Sequence, residues 1–212
     1  MARCSVQETA AAVGGRVTGD PGIVWEGAAI DSRAVRGGEL FFAFAGERTD
    51  GHRFVADAFT RGAAAAMVQQ PVASPERGAL IEVPDTFRAL HDLTRHLRQR
   101  VPQKLVGITG SAGKTTTKEL LAAMLATRFR VARTPGNLNN LYGFPLSLLN
   151  VPDGTEWMVA EMGMSTPGEL AQLSLLGRPD VALFTVIRPV HLEFFGTVQA
   201  IAEAKSELLR GL

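Results

Sequence analysis

A chain of 212 residues suffices for one large domain or two small ones, each able to bury a core, and two are expected. Lys and Arg number 22 against 21 Asp and Glu, and a net charge of +1 gives no field to gather nucleic acid or an anionic membrane. One cysteine, Cys4, excludes an internal disulfide and fits the reducing cytoplasm; no run approaches the ~18 apolar residues of a membrane span, and the N-terminus lacks the order of a secretion signal.

In chain order, AAIDSR (28–33), ELFFAFAGE (39–47), AAAMVQQ (64–70) and ALIEV (79–83) are short apolar runs between turn signals, and FVADAFTRGA (54–63) is helix-like. Strands alternating with a helix predict a small α/β domain. PVASPERG (71–78) is a loop by its prolines, serine and glycine. From Asp85 to about Arg100, Phe87, Leu90, Leu93 and Leu97 recur at spacings of three and four, which predicts an amphipathic helix ended by Pro102. Its Arg95, Arg98 and Arg100 read as a solvated face.

A second α/β domain is expected from Lys104. KLVGIT (104–109), WMVAEM (157–162) and VALFTVI (181–187) are nearly continuous apolar runs, as strands of a parallel sheet covered on both faces must be. Helices are expected over 115–127, 167–176 and 197–210. The expected organisation is therefore residues 1–84, a connecting helix over 85–103, and residues 104–212.

Between the first of these strands and its helix stands TGSAGKTT, Thr109 to Thr116. Glycines at a strand-to-helix turn let consecutive backbone N–H groups converge on an anion. Gly110, Ser111, Ala112 and Gly113 can form such a surface, Lys114 can supply a charge for the β- and γ-phosphates of a nucleotide, and the hydroxyl of Thr115 can ligate Mg²⁺. A glycine-rich turn with a solvated lysine is the alternative. The usual phosphate loop has its first glycine five residues before the Gly-Lys pair, where this chain has Ile108.

The shifted glycine resembles the loop of the Mur ligases and folylpolyglutamate synthetases, ATP-dependent enzymes that form amide bonds. TPGNLNNLYGFPLSLL (134–149), AEMGMSTPGEL (160–170) and PVHLEFFGTVQAIAEAKSELL (189–209) are similar to the Mur ligase branch that joins D-alanyl-D-alanine to UDP-N-acetylmuramoyl-tripeptide. IDSRAVRGGELFFAFAGERTDGHRFV (30–55) is similar to the UDP-substrate domain of that family. The resemblance implies a small N-terminal α/β substrate domain followed by a P-loop-type, mostly parallel-sheet ATP-binding domain, truncated here. It also implies ATP and Mg²⁺ as cofactors and a cytoplasmic ligase of peptidoglycan precursor synthesis working through an acyl phosphate.

In a doubly wound sheet ligands lie beyond the carboxyl ends of the strands. Glu161 closes the run Trp157 to Ala160, where its carboxylate suits Mg²⁺, and Gly163 permits close approach of a ligand; a solvated strand end is the alternative. His52, His91 and His96, each alone, read as structural histidines. His191, just past the third strand and opening HLEFFG, is a metal ligand by placement and resemblance, although Val186 stands where relatives carry asparagine. If Thr197 caps a helix, Lys205 falls on the apolar face of Ile201 and Leu208. A snorkelling lysine is one reading; the resemblance implies that Lys205 is carbamylated and helps hold a second Mg²⁺.

Lys114, Lys205 and His191 are thus the expected catalytic residues, and Gly110 through Thr116 the expected nucleotide contacts. Asn137, Asn139 and Asn140 offer amides to a polar substrate, or form an asparagine-rich turn. Ser32 and Arg33, with Thr49, Asp50, Gly51 and His52, are the expected contacts to the nucleotide sugar, or a strand-end turn without ligand. The family continues past the residue equivalent to Leu212 through the rest of the ATP domain and a third domain that helps bind the incoming amine, so little or no ligase activity is expected of these 212 residues alone. A sister ligase adding a diamino acid, or a UDP-sugar- or nucleotide-binding module without chemistry, are the competing readings.

Overall fold

The computed structural model describes residues 1–46, 49–73, 75–190 and 192–212. Glu47 at the end of an expected strand, Ser74 in an expected loop, and His191 lie outside the described residues. The chain forms two compact units, Met1–Leu97 and Arg98–Leu212, each α/β.

In the first unit β1 (Arg3–Ser5) runs into α1 (Val6–Val13), whose start is fixed by Ser5 Oγ accepting the Glu8 N–H at 3.1 Å. β2 (Arg16–Gly19) and β3 (Val24–Glu26) follow, and β3 pairs antiparallel with β1, burying Trp25, whose indole N–H donates to Thr9 Oγ1 at 2.7 Å. Then come β4 (Ala28–Ala29), β5 (Leu40–Phe42), α2 (Val55–Thr60), β6 (Ala65–Val68), β7 (Ala79–Glu82) and α3 (Thr86–Arg98). The five-stranded sheet has the order β2-β7-β6-β5-β4, parallel except at the β2/β7 pair. Phe41, Val55, Ala58, Val68 and Leu80 make its core.

Several expected elements are shorter: the strand read over 39–47 spans Leu40–Phe42 and that over 181–187 spans Val181–Phe184, and two others end early for local reasons. The strand read over 28–33 ends at Ala29, because the Asp31 carboxylate accepts the Arg33 N–H at 3.0 Å and starts a 3-10 turn, Ser32–Ala34. The helix read over 54–63 ends at Thr60, and Gly62 takes φ of 97° just beyond it. α3 buries Leu90 and Leu93, as its spacing predicts. His91 packs on the Phe87 ring and His96 Nε2 lies 3.3 Å from Glu8 Oε1, so both serve structure.

The second unit comprises β8 (Lys104–Thr109), α4 (Lys114–Ala126), β9 (Val131–Arg133), α5 (Gly143–Leu149), β10 (Trp157–Glu161), α6 (Glu169–Gly177), β11 (Val181–Phe184), α7 (Leu192–Phe195) and α8 (Val198–Ser206), with a 3-10 turn over Glu207–Gly211. Its four strands are all parallel in the order β11-β8-β10-β9. Glu161 lies opposite Ile108, and Phe184 opposite Thr109, so three strands end level with one another. Leu105, Phe144, Met158, Leu173 and Leu176 form the core on one face, and Ile108, Ala122 and Val159 on the other. Arg98 belongs to this packing and is no solvated residue: its guanidinium donates to the carbonyls of Gly177 at 2.8 Å and Gln103 at 3.1 Å. No helix among the described residues is long and apolar enough to cross a membrane.

Candidate functional site

The turn after β8 is built around two glycines with different duties. Gly110 takes φ of 150°, and a Cβ there would lie 1.8 Å from Thr185 Oγ1, so the segment after β11 presses directly on the loop. Gly113 takes φ of 80° with open space where a Cβ would go; only its backbone conformation asks for glycine. It is the N-cap residue of α4 and carries no side-chain cap, which leaves the first-turn N–H groups of α4 without an internal partner. A helix start of this kind, facing outward, attracts an anion through those donors and its dipole.

Ser111 departs from the expected cradle. Its N–H donates to the Val186 carbonyl at 2.7 Å, and its hydroxyl bonds the backbone of Arg188, donating to its O at 3.1 Å and accepting from its N at 2.9 Å. Its amide is therefore occupied, and the free donors start one residue later. Thr185 Oγ1 holds the Ala112 carbonyl at 2.6 Å. Lys114 folds back so that Nζ donates to the Gly110 carbonyl at 2.9 Å, inside the ring that an anion would fill.

Thr115 and Glu161 meet as their placement required. Thr115 Oγ1 donates to Glu161 Oε2 at 2.7 Å, and Asn139 Nδ2 donates to Glu161 Oε1 at 2.8 Å. Glu161 is only 4% exposed, so its carboxylate is held on both oxygens within the protein edge. Gly163 admits Asn139 closely: a Cβ at 163 would lie 3.1 Å from the Asn139 side chain. Among the described residues no three His, Cys, Asp or Glu side chains converge. The donor set among the described residues is one hydroxyl and one carboxylate, hard oxygens of the kind Mg²⁺ takes alongside phosphate oxygens and water.

A cleft of about 170 Å³ runs along this edge, lined among others by Gly110, Lys114, Asn139, Ser165 and Lys205. Lys205 is 4% exposed on the inner face of α8. Burial, and secondarily the nearby Lys114 charge, push its amine down to about 8 from an ordinary 10.5. The folded state thus binds this proton less tightly than the unfolded chain, a cost constant below about pH 8 and relieved as pH climbs from about 8 to 10.5. Wild type should therefore gain stability over Lys205→Met across that window in paired chemical denaturation series, whereas a pH-independent difference would show that the amine is solvated.

Of the three expected asparagines, only Asn139 reaches Glu161. Asn140 lines the cleft, but its Oδ1 caps α5 by accepting the N–H groups of Tyr142 at 3.1 Å and Gly143 at 2.8 Å. Asn137 is exposed and stands outside the lining. Thr116 is exposed on the first turn of α4. Sequence reasoning missed Lys118, one turn further on, which is fully buried. Its signal was available: it lies four residues before the buried Ala122, on the inward stripe of α4.

The first unit holds a separate cavity of about 750 Å³, a volume suited to a nucleotide-sized molecule. Ser32, Arg33, Thr49 and Gly51 line it, as expected, together with Phe44, Phe54 and Asp57, which the sequence did not single out. Arg33 and Asp31 pair through Nε and Nη2 at 2.7–3.2 Å, which holds the Asp31 carboxyl below its usual range. Asp57 is held low by the Ser32 hydroxyl and then by Arg61. Gly51 is required by close approach, since a Cβ would lie 2.7 Å from the Phe44 backbone nitrogen. Asp50 and His52 are bonded within the unit: Asp50 Oδ1 caps the turn over Gly51–Phe54 and bonds His52 Nδ1 at 2.6 Å, while Nε2 accepts the Gln69 N–H at 3.0 Å. Both ring nitrogens of His52 are spent, and neither residue lines the cavity.

With this geometry in hand, comparison with known proteins is specific. The profile described as "Mur ligase family, catalytic domain" matches residues 26–141, and the one described as "Mur ligase middle domain" matches residues 108–212. The chain is 45% identical over 190 residues to the UDP-N-acetylmuramoyl-tripeptide–D-alanyl-D-alanine ligase of Bacillus subtilis, covering 89% of this chain and 42% of that one. It is 39% identical over 190 residues to the ligase of the same name in Escherichia coli, covering 90% and 42%. Among solved structures, MurF from Acinetobacter baumannii superposes with a TM-score of 0.89 at 34% identity, covering all of this chain and 47% of that one. MurF from Thermotoga maritima, solved in complex with ADP, gives 0.77 at 39% identity, covering 88% and 43%. The chain thus spans less than half the length of these relatives.

Proposed function

Because the chain belongs to the Mur ligase family, we propose that it carries the UDP-sugar-binding and nucleotide-binding parts of a cytoplasmic ligase that joins D-alanyl-D-alanine to UDP-N-acetylmuramoyl-tripeptide at the expense of ATP. Residues 1–84 would take the UDP-sugar peptide, 85–103 connect, and 104–212 take ATP. The observation that carries this reading is the gathering of Lys114, Thr115, Asn139, Glu161 and Lys205 along one strand-end edge of the second unit. Names of the relatives supply the substrates, and the single buried cysteine supports a reducing compartment.

In the proposed reaction the tripeptide carboxylate attacks the γ-phosphorus of ATP and ADP leaves, giving an acyl phosphate. The amine of D-alanyl-D-alanine then adds to the acyl carbon, loses a proton and expels phosphate from a tetrahedral intermediate. The protein's task is positioning and charge compensation. Free N–H groups at the start of α4 receive the phosphate chain, and Lys114 exchanges the Gly110 carbonyl for a phosphate oxygen. Thr115 and Glu161 would hold Mg²⁺, and His191 joins them on resemblance alone. Held there, Mg²⁺ would supply positive charge to offset that developing on the transferred group. Lys205, as a lowered amine, can take up CO₂ with release of a proton to give a carbamate, an anionic oxygen donor for a second ion.

Calorimetric titration of the 212-residue chain with Mg-ATP and, separately, with UDP-N-acetylmuramoyl-tripeptide tests the reading. Both ligands should bind, independently. Arg33→Ala should weaken the UDP ligand about tenfold, through loss of a charge-assisted hydrogen bond, and leave Mg-ATP unchanged. Absence of either binding event would remove the corresponding half of the proposal.

A further inference from the structure

Among the described residues, Lys118 is the one buried ionisable group near the cleft that the reaction above does not use. Its side chain is fully buried, and a buried ammonium is costly unless every donor is satisfied. Nζ donates to the carbonyls of Thr134 at 2.8 Å and Gly136 at 3.1 Å, and lies 3.3 Å from Glu119 Oε1. Glu119 is itself tied to Arg133 of β9 at 2.7 Å. A leucine would fill this space without a charge, so the ammonium serves its partners.

Those partners lead to one place. Thr134, whose carbonyl Lys118 holds, also accepts the Glu161 N–H on its Oγ1 at 3.1 Å. The turn beginning at Pro135 then delivers Asn139, whose Nδ2 bonds Glu161 Oε1 and whose carbonyl accepts the Gly163 N–H at 2.8 Å. On its other oxygen Glu161 takes the Thr115 hydroxyl. Helix α4 therefore grips the carboxylate twice, directly through Thr115 and, one turn later, through Lys118 and the 134–139 turn.

We infer that Lys118 is a positioning residue for Glu161: it fixes the 134–139 turn so that Thr134 and Asn139 aim the carboxylate at the cation accompanying the nucleotide, without touching either ligand. This rests on the reading of the cleft as a Mg-ATP site. The role predicts a split between metal-free and metal-assisted binding, because the α4 N–H groups and Lys114 hold phosphate without Glu161, whereas the cation's contribution passes through it.

ATP affinity of the 212-residue chain is measured by calorimetry with Mg²⁺ and with EDTA, for wild type, Lys118→Met and Thr134→Val, beside a thermal melt of each. The ratio of the two dissociation constants should fall about tenfold or more in Lys118→Met, as for loss of an outer partner of a metal ligand, with metal-free affinity kept within about twofold. A ratio equal to wild type in a folded Lys118→Met, whatever its melting temperature, overturns the inference. Should that variant fail to fold, Thr134→Val decides: it keeps the carbonyl that Lys118 holds and removes only the hydroxyl under Glu161, and a wild-type ratio there overturns the inference equally. Wild type that binds no ATP, or binds it without regard to Mg²⁺, overturns the site reading itself.

Discussion

Gly110→Ala is expected to abolish measurable nucleotide binding while Gly113→Ala, three residues on in the same loop, only weakens it. At 110 a Cβ would sit 1.8 Å from Thr185 Oγ1, 3.1 Å from its Cβ and 3.2 Å from its N. Thr185 cannot retreat freely, since its hydroxyl holds the Ala112 carbonyl and its N–H donates to the Thr109 carbonyl at 3.0 Å. The loop must shift by an ångström or more, a misplacement worth on the order of 100-fold or greater in a site of this kind. At 113 nothing lies within 4 Å of the added methyl, so the cost is the left-handed backbone alone, about 1–2 kcal/mol. ATP titration of both variants, with melts to establish folding, measures the contrast. Equal behaviour of the two would mean that the pressure of Thr185 on the loop does not shape the phosphate site.

The largest effect on stability is expected at Phe144. It is fully buried on α5 in the cluster with Leu105, Met158 and Leu176, and its ring lies against the bare backbone of Gly177, where a Cβ would come within 2.6 Å of Cζ. Truncation to alanine leaves a cavity that two rigid elements cannot close, and should destabilise the second unit by about 3–5 kcal/mol. Hydrogen exchange of the β8 and β10 amides in the variant reads that unit alone. A loss below about 1 kcal/mol would mean that the site collapses and the core is not close-packed there.

The sequence carried the parts of the fold that repeat a simple period. β8, β10 and β11 are unbroken apolar runs, and α4 begins where Lys114 follows the second glycine. β9 was illegible because two half-buried residues and the exposed Arg133 are too few to show a period. α5 was hidden by Gly143 and Pro145, which usually mark a turn; here Pro145 occupies the first helical turn, where its missing N–H costs nothing. α1 left a legible signal in Ser5 and Glu8, three apart as in a capping box, and Ser5 Oγ accepts the Glu8 N–H at its start. Thr115, Glu161, Asn139 and Lys205, which the structure gathers at one edge, were singled out in the sequence by strand-end placement, helix face and resemblance. Lys118 could not be read the same way, because a lysine acting on carbonyls leaves no motif of its own. His52 shows what a motif cannot tell: within a ligand-like run, its two nitrogens are bonded to Asp50 and the Gln69 amide.

The grip of Ser111 on the tail of β11 has an evolutionary corollary. Its amide and hydroxyl reach only peptide groups, the carbonyls of Val186 and Arg188 and the nitrogen of Arg188. A contact made through peptide atoms is blind to what hangs from each Cα, so position 186 can change its side chain without loosening the loop. The same freedom has a forbidden letter at 188: proline there would delete the donor on which the clasp closes.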